Sequence, residues 1–315
     1  MMGKTAYIFP GQGSQAVEMG KDLYEASPAA RAVFQQADEI LGYSISELCF
    51  EGPEEDLKAT VNAQPALMVM SLACLEAVRE KERETGKQLI PSADYMAGHS
   101  LGEYTALAAS GALSYQDAIT LAHERGRLMY EAGEKMPGAM AAIIGMAQEK
   151  VEKICEQAGV YIANFNCEGQ IIISGEKAKI LEARRQAKQE GAKMAIPLQV
   201  SGAFHSPLMK EAADGLKTAV EKTAMHAAQI PVIANTRVQE LRDSVEDVRK
   251  ELLDQLCHSV QWEKTVKRLH ADGVDTFIEI GAGNVLTGLV KRICPQAEII
   301  NIGSMEDIRK LMDAV

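Results

Sequence analysis

The run Gly98-His99-Ser100-Leu101-Gly102 constrains this chain more than any other five residues. It follows the apolar stretch DYMA and precedes a segment with Leu101, Leu107 and Ala108 among small residues, so it reads as strand, sharp turn and helix. The two glycines let strand and helix backbones approach closely on either side of the serine. Ser100 is then exposed on the turn, and the Leu101 N–H points where an oxyanion would form. Strands that feed helices in this way build a parallel sheet covered by helices. The rest of the chain agrees: TAYIF, a helix near 22–41, an apolar helix near 65–84, and DYMA with the helix after it alternate as an α/β protein does.

One segment has a different order. From Gly138 the chain reads strand (GAMAAIIGM), helix (148–158), strand (VYIANFN), strand (QIIISG), helix (177–190) and strand (AKMAIPL). The order β-α-β-β-α-β is that of a ferredoxin-like unit. Residues 133–198 are therefore expected to form a small subdomain inserted into a large α/β core made of 1–132 and 199–315. A cleft between the two is the natural substrate site.

Composition removes several classes. With 33 Lys+Arg against 44 Asp+Glu the net charge is −11, which argues against nucleic acid as the main partner. The six cysteines include no C-x-x-C pair, so neither a disulfide framework nor a zinc site is expected, and no metal. The N-terminal residues lack the apolar core of a secretion signal, and the apolar run Pro65–Leu75 is shorter than the ~20 residues of a membrane span. A cytoplasmic protein with no membrane partner is expected.

A nucleophilic serine needs a base. Of the six histidines, His99 adjoins Ser100 and should point elsewhere, His123 and His226 fall in helical patterns, and His270 falls near a helix end. His205 differs. It lies in the loop Ser201-Gly202-Ala203-Phe204-His205-Ser206, between strand 192–200 and a helix that Ser206 can cap and Pro207 can start. A βα loop at the end of a strand is a usual place for a site, and the helix N-terminus favours a neutral imidazole.

Arg125 breaks its own pattern. The helix 115–133 follows Ser114, with Asp117 completing a cap, and its apolar stripe is Ala118, Leu121, Ala122, Leu128, Met129 and Ala132. Arg125 falls on that stripe and Arg127 on the opposite face. An inward guanidinium needs a partner: a protein carboxylate in a structural ion pair, or a substrate carboxylate gripped by its fork. Near the N-terminus, Gly11-Gln12-Gly13-Ser14-Gln15-Ala16 fits a dinucleotide fingerprint, but no second strand ends in an acidic residue at the required offset. The better reading is a loop whose Gln12 N–H completes an oxyanion hole.

FPGQGSQ, NAQPAL, GHSLGEY, ERGRLM, PGAMAAI, NFNCEGQIIISG, FHSPLM, VQW and FIEIGAGNVL, in this order, closely resemble the malonyl-CoA:acyl carrier protein transacylases across essentially the whole chain. The resemblance implies an α/β-hydrolase-like core with an inserted ferredoxin-like subdomain, no cofactor, and a monomer. It implies that Ser100 is the nucleophile that becomes malonylated, His205 its base and Arg125 the holder of the malonyl carboxylate. The N–H groups of Gln12 and Leu101 would form the oxyanion hole, the Gln261 carbonyl would orient His205, and Gln64 and Asn166 would line the site. Phe204 resembles the subtype that prefers malonyl over methylmalonyl. Two departures stand out: Gly281-Ala282-Gly283 where the family usually has Gly-Pro-Gly, and Ser259 where a proline commonly precedes V-Q-W. Malonyl-CoA and an acidic acyl carrier protein would be the partners. Since this chain is itself acidic, the carrier would dock on a local basic patch, for which Lys193, Lys291 and Arg292 are the candidates.

Three readings compete, the nearest being a trans-acting malonyltransferase of a polyketide pathway. A serine esterase or thioesterase would use His270 with Asp243, Asp247 or Asp254, or a Ser–Asp dyad through Asp214-Gly215 or Asp272-Gly273. A scaffolding protein would have no use for Ser100, His205 and Arg125 together.

Overall fold

The computed structural model describes residues 3–200 and 202–314, so Ser201 of the His205 loop lies outside the described residues. The chain opens with β1 (Lys4–Phe9), α1 (Lys21–Ala26), α2 (Pro28–Leu41), α3 (Ile45–Glu51), α4 (Glu54–Lys58) and α5 (Thr60–Thr85). Then come β2 (Tyr95–Gly98), α6 (Leu101–Ala109) and α7 (Tyr115–Lys135). The middle is β3 (Gly138–Ile144), α8 (Gln148–Ala158), β4 (Tyr161–Cys167), β5 (Gln170–Glu176), α9 (Lys177–Gln189) and β6 (Met194–Pro197). A 3₁₀ turn, Pro207–Met209, leads into α10 (Lys210–Lys222), β7 (Val232–Ile233), β8 (Glu240–Leu241), α11 (Val245–Cys257) and α12 (Trp262–Ala271). The chain ends with β9 (Val274–Ile280), α13 (Val285–Ile293), β10 (Glu298–Ile302) and α14 (Met305–Ala314).

The fold is mixed α/β with two sheets. In the larger, ordered β10-β9-β1-β2-β7-β8, every pairing is parallel except that of β8 with β7. The smaller, ordered β4-β5-β3-β6, is antiparallel throughout. The burial of β1 fits a central parallel strand covered on both faces, with five of its six residues buried. The expected helix over 22–41 is two helices, because Ser27 caps from Ala30 N–H and Pro28 restarts the chain at N1. The expected apolar helix starts earlier, at Thr60, and carries Pro65 within it. At 26 residues α5 is long and apolar enough to cross a membrane, yet 83% of its apolar window is buried inside the fold.

The small sheet is pinned along β4 to the segment between α11 and α12. Phe165 N–H donates to the Val260 carbonyl and Val260 N–H to the Ala163 carbonyl, at 2.9 and 2.8 Å. Ser259 adds a 2.5 Å bond from its hydroxyl to the Ile162 carbonyl, which a proline there would lack. On the far side of the β4–β5 turn, Arg292 donates to Gln170 Oε1 and to the Glu168 carbonyl.

Candidate functional site

Three neighbouring parallel strands deliver the site at their C-terminal ends, where parallel sheets place their ligands. Phe9 of β1 stands beside Gly98 of β2, and Ala97 of β2 beside Ile233 of β7. The segments that follow carry Gln12, Ser100 and Asn235. A Cβ on Gly98 would lie 1.9 Å from the Gly102 carbonyl, and one on Gly11 would lie 2.3 Å from the His99 carbonyl oxygen. Only glycine admits those approaches, so the β1 loop crosses directly over the Ser100 turn. Ser100 itself has φ +52° and His205 φ +55°, left-handed values that a non-glycine residue holds only where surrounding bonds impose them. At Ser100 the imposing residue is Asn235, whose side chain accepts from Ser100 N–H at 2.8 Å and donates to the Gly98 carbonyl at 2.7 Å.

Ser100 Oγ and His205 Nε2 are 2.7 Å apart. His205 Nδ1 meets the Gln255 carbonyl at 2.8 Å. A carbonyl only accepts, so Nδ1 carries the hydrogen and Nε2 is free to take the serine proton. Burial, then the nearby Arg125 charge, lower the imidazole to about 3, which keeps it neutral at physiological pH.

The expectation that Gln261 orients His205 is corrected. Gln261 is the N-cap of α12, and its carbonyl accepts the helical bond from Thr265 N–H. Gln255 lies in the last turn of α11, where carbonyls lack helical donors. One of those orphan carbonyls serves His205. His205 does follow a strand, but β6 belongs to the antiparallel sheet. The residue was legible while the reason given for its position was not.

Arg125, 1% exposed, points from α7 to the same place. It donates from Nη1 to Gln64 Oε1 at 2.5 Å, and from Nη2 to Gln255 Oε1 at 2.8 Å and Ser100 Oγ at 3.1 Å. The Tyr104 ring lies 5.3 Å from the guanidinium carbon, a modest cation–π contact. Every hydrogen-bond partner is a neutral oxygen, and Nε has none among the described residues. No carboxylate among the described residues is within ion-pair distance of it. Burial works against the charged form, so the site holds a desolvated cation without an anion.

A cavity of about 480 Å³ opens over these groups, lined among others by Gln12, Gln64, Leu101, Met129, Asn164 and Phe204. Leu101 is the first residue of α6, so its N–H has no helical acceptor. The Gln12 side chain is tied back to Thr60 Oγ1 at 3.1 Å. Asn166 is a second correction: its amide is 2.9 Å from the His99 ring, and Asn164 lines the cavity instead, Asn166 falling where β4 slips register against β5. His99, expected to point away, forms part of the wall, its ring edge-on to Trp262 at 5.7 Å.

The competing residues are elsewhere. His270 Nδ1 faces the Val274 carbonyl and its Nε2 faces Gln296. Asp214 is paired with Lys210, Asp272 with Arg268 and Asp254 with Arg237. His226 follows α10 instead of lying in a helix. Asn235, Gln255 and Glu103, which hold the site together, were missed by the sequence reading. Gln255 and the nearby Glu251 share the buried stripe of α11 with Val248, Leu252 and Leu256. A polar residue on an apolar stripe, the signal that singled out Arg125, was therefore present there too.

Residues 6–307 match the family described as acyl transferase domain. The chain is 46% identical over 312 residues to the malonyl CoA-acyl carrier protein transacylase of Bacillus subtilis, covering 98% of this chain and 96% of that one. It superposes on the acyl-carrier-protein-S-malonyltransferase of Bartonella henselae with a TM-score of 0.91 at 40% identity, covering 99% of each chain. A type II PKS acyl-carrier protein in complex with its malonyl-transacylase gives 0.92 at 38% identity, covering 99% of this chain and 100% of that one.

Proposed function

Since the chain belongs to the acyl transferase domain family, we propose that Ser100, His205 and Arg125 carry its reaction, the transfer of a malonyl group from malonyl-CoA to the thiol of acyl carrier protein. The observation that carries this reading is the buried Arg125, 3.1 Å from the Ser100 hydroxyl and without a carboxylate partner. A malonyl thioester brings the missing anion on the acyl group itself, and a guanidinium fork takes it in two charge-assisted bonds.

The reaction is ping-pong. His205 Nε2 accepts the Ser100 proton as Oγ attacks the thioester carbonyl, and the N–H groups of Leu101 and Gln12 hold the oxyanion. The C–S bond breaks, coenzyme A leaves as its thiol with the proton from His205, and malonyl remains as an ester on Ser100. The carrier's phosphopantetheine thiol then attacks that ester, with His205 as base again. The chemistry uses protein groups alone, with no cofactor. With a carbonyl instead of a carboxylate behind it, His205 is a weak base. Gln64 and Gln255 hold the guanidinium, and Phe204 crowds the α-carbon enough to disfavour a methyl by about 1–3 kcal/mol.

Three further points belong to this reading. The strand order of the small sheet, with residues 133–198 returning the chain to the core, supports a ferredoxin-like subdomain inserted in a hydrolase-like core of 1–132 and 199–315. The enzyme acts as a cytoplasmic monomer. The carrier docks where Lys193, Lys291 and Arg292, all exposed, offset the overall charge.

The test is to mix the protein with malonyl-CoA alone and analyse its peptides by mass spectrometry. One stable malonyl group on the Ser100 peptide is expected. Rapid release of free malonate without an adduct would instead identify a hydrolase.

A further inference from the structure

We propose that Glu103 is a positioning residue for this site: it fixes which way the Gln255 side-chain amide faces, and through that amide it aims Arg125 at the acyl carboxylate. The inference rests on the reading of Arg125 as the carboxylate holder.

Glu103 is fully buried in the first turn of α6, three residues after the nucleophile. Its Oε1 accepts from Asn235 N–H at 2.7 Å and its Oε2 from Gln255 Nε2 at 2.5 Å. Gln255 Nε2 also donates to the Ser100 carbonyl at 2.9 Å, which leaves Oε1 for Arg125. The two ends of an amide are nearly the same shape, so packing alone does not choose between them. A carboxylate whose two oxygens both accept, one from Asn235 N–H and one from Gln255 Nε2, does choose. With Glu103 in place, Gln255 must offer its NH₂ to the carboxylate and its oxygen to the guanidinium. Turned over, the amide would set N–H against N–H at Arg125 and oxygen against oxygen at both Glu103 and Ser100.

Burial, then Glu251, push the Glu103 carboxyl well above its usual range, and the Asn235 and Gln255 donors and Arg125 oppose that only in part. The geometry favours the anion nonetheless, since both oxygens accept, and in that form Glu103 attracts the guanidinium from behind Gln255 without occupying it. Because the Gln255 carbonyl also holds His205 Nδ1, one carboxylate braces the residue that serves both the base and the binding group.

Glu103→Gln is nearly isosteric and breaks the logic. Asn235 N–H only donates, so the new amide must turn its oxygen there and its NH₂ onto Gln255, which is then forced over. Loading of Ser100 is measured with malonyl-CoA and with acetyl-CoA for the intact wild type, Glu103→Gln and Glu103→Asp. The malonyl-to-acetyl loading ratio is expected to fall about tenfold or more in Glu103→Gln, the size of effect a misoriented polar partner produces. Glu103→Asp disturbs packing more but remains acceptor-only, so it should keep the ratio even at a lower absolute rate. A ratio within about twofold of wild type in Glu103→Gln, or equal losses for both substrates, would overturn the proposal. If Glu103→Gln does not fold, Glu103→Asp decides: a preserved ratio supports the role and a collapsed one refutes it. Failure of the wild type itself to load malonyl would count against the proposed function instead.

Discussion

Two arginines stand two residues apart on α7 and live in opposite conditions. Arg127 is 41% exposed at its side chain, and carboxylates bracket it: Glu124 at 2.6 Å and Glu131 at 2.5 Å. Arg125 is buried, held by the oxygens of Gln64, Gln255 and Ser100, and has no anion. Where water already solvates the charge, the helix supplies two acidic neighbours at i−3 and i+4. Where desolvation makes the charge costly, it supplies none. An ion pair that served stability would be arranged the other way round. On the proposed reading of Arg125, the buried cation is left unpaired because its anion arrives with the substrate.

The largest expected effect comes from emptying the inner position. Arg125→Ala removes a bidentate contact to the acyl carboxylate, at roughly 1.5–3 kcal/mol per charge-assisted bond. Malonyl loading of Ser100 should therefore fall by about 10²–10⁴-fold, while acetyl loading is unchanged or rises. Quenched-flow loading with the two thioesters reads both numbers. Equal losses for both would make Arg125 a structural residue and remove the contrast with Arg127.

A second test uses the proton. The base is competent above its own pKa, and His205 sits at about 3, lowered first by burial and then by Arg125. An unperturbed imidazole is half-protonated near pH 6.5, so with acetyl-CoA the wild-type loading rate should stay flat from about pH 8 down to about pH 5. Arg125→Ala removes the second cause, and the acid limb should move up toward neutrality without reaching 6.5, since burial remains. A wild-type limb already at about 6.5 would show that neither burial nor Arg125 acts on the base.

Legibility follows from whether a residue violates its local pattern. Ser100 was readable because glycines at fixed spacing have few other uses, and Arg125 because it interrupts an apolar stripe. The parallel sheet followed from alternation along the chain. The orienting carbonyl was not readable at Gln261, since a main-chain group leaves no mark in the side-chain sequence. It is supplied by the frayed last turn of α11, and where a helix stops is the least certain part of any sequence reading. Asn235 sits in a loop after a two-residue strand, with no periodicity for it to violate. Asn166 sits at a register shift in β4, and such an irregularity, which breaks the simple alternation from Asn164, leaves no mark in the sequence.

The smallest effect should come from the outer arginine, and its smallness gives the comparison its force. Arg127→Ala removes two exposed pairs within one helix, each contributing about 0.3–0.5 kcal/mol, so the loss of stability should stay below about 1 kcal/mol. Thermal or urea unfolding measures it, and added salt should shrink the difference because exposed pairs are screened. Malonyl loading, the malonyl-to-acetyl ratio and the acid limb should all match wild type. If Arg127→Ala depressed malonyl loading as Arg125→Ala does, selection would be acting through the field of the whole helix instead of through contact at its inner face. The paired carboxylates argue against that outcome: Glu124 and Glu131 offset the Arg127 charge where it stands, whereas no carboxylate among the described residues lies at contact distance from Arg125.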